Sequence, residues 1–243
     1  MTWQRWRQHF ERNQNRPLPA IGLPPRLPDA HRRALAWSLA RFQVGEAGEG
    51  RIARDIWRIR LRGIDDDYRN ALGLFVKEEG RHARILSEMV RCLGGTLLAG
   101  SWTERLFVVA RRLLDVRLKL LVLLAAEVVG IGFYGLCAGA FPSGPLRAAL
   151  EQIRDDERAH LRFHRDFFQT EVSPGWRRRV FRIGWTLIGS AASLVVLLDH
   201  RRTLRTLGVP MAGAARSLAR LVGEAGRLEV LEPAPIAFGA TTS

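Results

Sequence analysis

Apolar residues recur along this chain at intervals of three and four, while alternating runs and Asn-Gly or Asp-Gly hairpin turns are scarce. That pattern predicts helices and no sheet. Residues 1–28 are polar and then proline-rich (Pro17, Pro19, Pro24, Pro25, Pro28), and they read as an extended arm. Asp29 is placed to cap a first long helix that runs to about Arg62 and stops at Gly63. Asp65, Asp66 and Asp67 supply the N-cap and first-turn acids of a second helix, which ends at Gly94-Gly95. Ser101-Trp102-Thr103-Glu104 is a capping-box start for a third, reaching about Gly139. The turn from Pro142 to Pro145 precedes a fourth, ending near Ser173-Pro174. Four long helices with short connections predict a bundle over residues 29–173. Residues 174–209 hold a fifth helical segment, Arg177 to Leu207, and residues 210–243 a short amphipathic helix with a loose tail.

Composition adjusts this picture at three points. A chain of 243 residues, 47% hydrophobic, can bury a substantial core. Its net charge of +14 favours an anionic partner. No zinc-finger spacing, RNA-recognition motif or basic zipper accompanies the charge, so nucleic acid is not expected and an anionic membrane surface is the better candidate. Cys92 and Cys137 sit in apolar helical context, outside any Cys-x-x-Cys, and are expected to be buried spacers in a reducing cytoplasm. The polar N-terminus has no apolar core of a secretory signal.

The chemistry lies in a repeated motif. Glu79-Gly80-Arg81-His82 on the second helix and Glu157-Arg158-Ala159-His160 on the fourth are both Glu-x-x-His. Residues three apart share a helix face, so a carboxylate and an imidazole can reach one ion together. Leu72, Phe75, Val76, Leu86 and Met89 surround the first motif, and Ala149, Ile153, Leu161 and Phe167 the second. Both therefore fall on core-facing stripes, where a bare Glu or His is costly to bury. A lone Glu-x-x-His in an arginine-rich helix is ordinarily a solvated face; two of them on apolar stripes call for a neutralising cation.

The other two helices each offer a carboxylate. Glu127 stands alone in the apolar run Leu120–Tyr134, and the first helix carries Glu46 and Glu49 on one face. Two Glu-x-x-His helices plus two single-Glu helices form the ligand set of ferritin-like di-iron and di-manganese proteins. Hard oxygen donors with two histidines suit Fe or Mn. The expected metal ligands are thus Glu79, His82, Glu127, Glu157 and His160, with Glu46 or Glu49 from the first helix, holding two Fe ions, with Mn as the alternative. Asp156 is expected to accept the second N–H of His82 across the bundle, beyond the metals themselves. Glu78 is expected to stand behind the ligands or face solvent. His164, one turn past His160, is expected to line a channel or the core rather than to ligate.

Glu78-Glu79-Gly80-Arg81-His82 resembles the Glu-Glu-x-Arg-His of acyl-carrier-protein desaturases, and Asp156-Glu157-x-x-His160 resembles the Asp-Glu-x-x-His of desaturases and ribonucleotide reductase small subunits. Ala47-Gly48-Glu49, with 79 − 49 = 30 residues to the next ligand, is similar to the demethoxyubiquinone hydroxylases. Where those hydroxylases carry His-Tyr on the third helix, this chain has Phe133-Tyr134. The resemblance covers about residues 35–170. It implies an all-α, ferritin-like four-helix bundle with an extra C-terminal apolar helix. It also favours Glu49 over Glu46 as the first-helix ligand, with Glu79 and Glu157 bridging the metals.

The expected function is a di-iron oxygen-activating oxidoreductase, a non-haem oxygenase of hydroxylase or desaturase type. Its partners would be O2, an apolar, lipid-like substrate and an external electron donor. Tyr134, on the face of Glu127, would either line the substrate path or serve the core. The alternative is a ferritin-like iron store or a rubrerythrin-like peroxide scavenger, although the chain has no Cys-x-x-Cys rubredoxin site. Ile183–Leu198 is free of charge, with Arg177, Arg178, Arg179 and Arg182 before it and Arg201, Arg202 and Arg205 after Asp199 and His200. It is shorter than the ~20 residues of a spanning helix. It is expected to pack on the bundle or form a homodimer contact, or to lie at the inner membrane face as a peripheral anchor, with a true span as the remaining alternative.

Overall fold

The computed structural model describes residues 3–23, 27–48, 64–100, 102, 116–172 and 175–227, with the side chains of 116, 117 and 171 set aside. Every regular element among these residues is helical: α1 (Trp3–Asn13), α2 (Asp29–Ala47), α3 (Asp66–Cys92), α4 (Val116–Gly139), α5 (Pro145–Glu171), α6 (Gly175–Asp199), α7 (Arg201–Thr206) and α8 (Met211–Ala225).

Local chemistry fixes the ends. Asp65 caps α3, its side chain accepting from the Tyr68 N–H at 2.7 Å. At the other end Gly94 takes φ +75°, a conformation that favours glycine, while Gly95 N–H bonds to Val90 O and Gly94 N–H to Arg91 O. Pro145 opens α5 at the position where a missing N–H costs nothing. Asp29 does not cap α2: Pro28 occupies that position, and Asp29 sits in the first turn 3.6 Å from Arg32. The expected extension of the first helix to Arg62, the Gly63 stop and the capping box at Ser101 fall outside the described residues.

The expectation of an extended arm over 1–28 is corrected at its start. Trp3, Trp6 and Phe10 repeat at helical spacing and are buried, so residues 3–13 form α1 and lay that stripe along α3 and α5. Trp3 meets Tyr68 and Phe163 edge-on, and Phe10 meets Phe75 and Phe163. Each such ring buried contributes roughly 1.5–3 kcal/mol. Trp6 Nε1 donates to Asp166 Oδ2 at 2.7 Å, which satisfies the indole inside the contact.

α2 packs on α3 and α4 packs on α5, and the two pairs meet where α3 faces α5. α4 is apolar all round and lies at the centre, covered by α5, α6 and α8. The expected fifth helix is broken in two at His200. There the imidazole Nδ1 lies 2.7 Å from Ser38 Oγ on α2 and turns the chain onto that helix. Cys137 is buried as expected, whereas Cys92 is exposed at the end of α3, on the side away from the core.

Candidate metal centre

Glu79 and His82 of α3 face Glu157 and His160 of α5, all four fully enclosed. Each contributes one ligand atom to a group in which all such atoms lie within 4.8 Å of one another, so the cluster can hold a metal ion. The i,i+3 spacing explains why two helices suffice: each turns its carboxylate and its imidazole to the same side.

The two histidines are oriented alike. Their Nε2 atoms point outward, His82 to Asp156 Oδ2 at 3.2 Å and His160 to Glu78 Oε2 at 3.1 Å. In each case the acid comes from the opposite helix and immediately precedes that helix's own Glu-x-x-His glutamate. Glu78 on α3 and Asp156 on α5 are thus reciprocal partners, so the helices brace one another's histidines. The Nδ1 atoms point inward. His82 Nδ1 lies 3.1 Å from Glu157 Oε1 and 3.6 Å from Glu79 Oε2. His160 Nδ1 lies 2.6 Å from Glu79 Oε1, 3.3 Å from Glu157 Oε2 and 3.6 Å from Glu127 Oε2.

These inward contacts are close yet mostly misdirected. Both oxygens of Glu79, Oε1 of Glu157 and Nδ1 of His82 are buried without a partner in hydrogen-bonding geometry. Buried polar atoms of this kind cost about 1–3 kcal/mol each if left unsatisfied. Convergent lone pairs with nothing between them are what a cation requires, and the donor set of carboxylates and imidazoles fits a hard transition-metal ion.

The protonation pattern points the same way. Burial and the adjacent Glu157 charge hold Glu127 well above the ordinary carboxylate range. Burial and the adjacent Glu79 do the same to Glu46. Against the cost of burial, the charge of His160 keeps Glu79 well below that range, and hydrogen bonding from Glu127 helps to keep Glu157 low. His82 and His160 are raised well above the usual histidine value despite burial, the first by Asp156 and Glu157, the second chiefly by Glu79. These shifts favour the protonated forms of Glu46, Glu127, His82 and His160, and a bound cation could supply the same positive charge.

Glu127 reaches the cluster from α4, as its isolation in an apolar run implied, and it is buried. Glu46 reaches it from α2. It lies within hydrogen-bonding reach of Glu79, and its Oε1 accepts the Tyr134 hydroxyl at 2.6 Å. Glu49, the preferred first-helix ligand, lies outside the described residues. Tyr134 is fully buried, with its hydroxyl raised well above the ordinary phenol value by burial and by Glu46. Phe133 stacks on Phe42, 4.4 Å between centroids. His164 is buried with both ring nitrogens unpartnered and Nε2 3.6 Å from Glu127 Oε1; burial pushes its pKa down to about 3, so it is neutral.

One participant was not anticipated. Arg16, just past α1, bonds to Asp156 and lies 3.8 Å from Glu78 Oε1, so one guanidinium serves both outer acids. Buried Arg81 donates to the carbonyls of Arg16 and Pro17 and pins that segment in place. No short-range pattern marks Arg16, because its contacts are with residues 62 and 140 positions away.

The chain matches no family model, no curated protein and no solved structure.

Proposed function

We propose that the protein is a ferritin-like, di-iron oxygen-activating oxidoreductase, of hydroxylase or desaturase type, acting on an apolar substrate. The observation that carries this reading is the inward convergence of two histidine Nδ1 atoms on shared, otherwise unpartnered carboxylate oxygens, with both Nε2 atoms anchored by acids from the opposite helix. Glu79, His82, Glu127, Glu157 and His160 would hold the metals together with Glu46 or Glu49. Six protein ligands exceed what one ion with open positions takes, which favours two. Bound there, iron would supply the activation of O2 and the oxidising equivalents for the substrate.

The chain's own part is positioning and exclusion. Asp156 and Glu78 fix the histidine rings and raise their basicity as ligands. Tyr134 holds the Glu46 carboxyl from α4. Phe10 and Phe75 lie against His160 at 5.8 and 4.7 Å between centroids, closing that side to water. The resemblance of both acid-Glu-x-x-His segments to desaturases, and of Ala47-Gly48-Glu49 to the demethoxyubiquinone hydroxylases, supports an apolar substrate over iron storage.

Metal analysis of the purified protein, followed by optical spectra of the reduced form with O2 and separately with peroxide, tests the reading. Two irons per chain and a prompt reaction with O2 are expected. Less than one bound ion per chain would defeat it, and reaction with peroxide alone would favour the scavenger.

A further inference from the structure

α6 is apolar on two opposite faces, and only one of them is covered. Phe181, Trp185, Gly189, Ala192 and Val196 recur at three- and four-residue intervals and are buried. They seat the helix on α4 and α8, and Trp185 Nε1 donates to Val222 O at 2.7 Å. Trp176, Val180, Ile183, Leu187, Leu194 and Leu198 recur at matching intervals on the other side, and every one is more than half exposed. Among the described residues two helices are long and apolar enough to cross a membrane, Leu118–Gly139 and Gly175–Asp199; 83% of the first is buried within the protein but only 33% of the second. α4 is therefore a core helix, and α6 carries a bare apolar stripe of the kind that marks an interaction site.

The ends of the stripe say what covers it. Trp176 stands exposed at one end. At the other, exposed Trp102 donates to Asp199 Oδ1 at 3.0 Å, and Trp37 lies under the Arg41 guanidinium, which is itself 3.7 Å from Asp199. Four arginines precede the charge-free run and three follow it, all exposed, with no charged residue between Ile183 and Leu198. A second copy of α6 laid along the stripe would set arginine cluster against arginine cluster, whether parallel or antiparallel. Anionic headgroups meet both clusters at once, while indole rings prefer the boundary between headgroup and hydrocarbon. Because the opposite face is committed to α4 and α8, the helix cannot be ringed by lipid.

We propose that α6 is a membrane-docking helix that lies in the plane of an anionic bilayer surface. Its apolar stripe enters the acyl boundary, and the arginines at both ends bind the lipid phosphates. The proposal does not rest on the metal assignment, although it would bring an apolar substrate to the protein without passage through water.

Flotation of the full-length chain with phosphatidylcholine vesicles, alone or with about one third phosphatidylglycerol, tests it. Binding to the anionic vesicles is expected, at least tenfold stronger than to the neutral ones and weakened by salt. Ile183→Asp with Leu187→Asp should abolish flotation, and Arg177→Gln, Arg178→Gln and Arg179→Gln together should weaken it at least tenfold. Both variants should keep the helical content and metal content of the parent, which separates this outcome from misfolding and from failure of the metal reading. Absence of flotation with anionic vesicles, or undiminished flotation of the Ile183/Leu187 variant, overturns the proposal. So does a stable dimer in sedimentation velocity that the same variant dissociates, because the stripe would then belong to a second copy.

Discussion

Arg16 is bonded to Asp156, the carboxylate whose Oδ2 also lies 3.2 Å from His82 Nε2. A residue from the N-terminal segment thus reaches the cluster through one intermediary. Asp156 is held below the ordinary aspartate value, against burial, by His82 and Arg16 together. A charged acceptor on Nε2 makes Nδ1 the better electron donor, which is the atom that faces the carboxylates.

Arg16→Gln and Asp156→Asn should each weaken metal binding by about 10–100-fold, the usual effect of losing an outer partner of a ligating histidine. The double variant should fall short of the product of the two, because both act on the same histidine. Competition against a chelator with Co(II) as the probe measures this. Parental affinity in Arg16→Gln would show that the arginine is only a tether for α1.

Replacement of Glu127 should separate stability from binding. In the metal-free protein burial and Glu157 hold its carboxyl well above the ordinary carboxylate range, whereas in the unfolded chain it ionises in that range. A group with a raised folded pKa lowers stability progressively as pH rises above its unfolded value. Glu127→Gln removes that cost, so the metal-free variant should melt higher than the parent at pH 7–8 by a few degrees, at roughly 2–4 °C per kcal/mol for a chain of this size. Its metal content should drop. A lower melting temperature for the metal-free variant would make Glu127 a structural residue instead.

How much of this was legible follows from the range of each contact. The Glu-x-x-His pairs are visible because ligand spacing and helix period coincide, and Glu127 because nothing in its own apolar run can pair with it. α1 was hidden: three apolar rings in a polar segment look like a loose arm until α3 and α5 supply the surface that buries them. Glu46 and Glu49 share a face, so periodicity alone leaves them open. Family resemblance favoured Glu49, while among the described residues it is Glu46 that contacts Glu79. The break at His200 depends on Ser38, 162 residues away, and no window along the chain contains both.

Metal uptake should release protons. Glu46, Glu127, His82 and His160 all hold their protons to higher pH than ordinary side chains do. A metal ion must displace them, so apparent affinity should rise with pH through neutrality and be lost as pH falls. Calorimetric titration in buffers of different ionisation enthalpy counts the protons. A buffer-independent enthalpy at neutral pH would mean that the cluster is already deprotonated and that the charge balance described above is wrong.

A second pH dependence lies away from the Glu/His cluster. Ser38 Oγ donates to Thr203 Oγ1 at 2.7 Å and Thr203 donates to Ala34 O at 2.9 Å, so the Ser38 oxygen is left to accept from His200 Nδ1–H. The relay is complete with neutral imidazole, and burial pushes the His200 pKa down to about 4. Between that value and the 6.5 of the unfolded chain, the unfolded state binds the extra proton. Stability therefore rises with pH across this window and is lost as pH falls through it. His200→Gln, which keeps a donor for Ser38 but has no charge to gain, should be less stable than the parent at pH 7. The gap should narrow as pH falls from 6.5 to 4, by at most about 1.4 kcal/mol per pH unit. Every other titrating group is common to the two proteins, so the difference between their urea midpoints isolates His200. A gap that stays constant over that range would show that the buried imidazole does not titrate differently on folding.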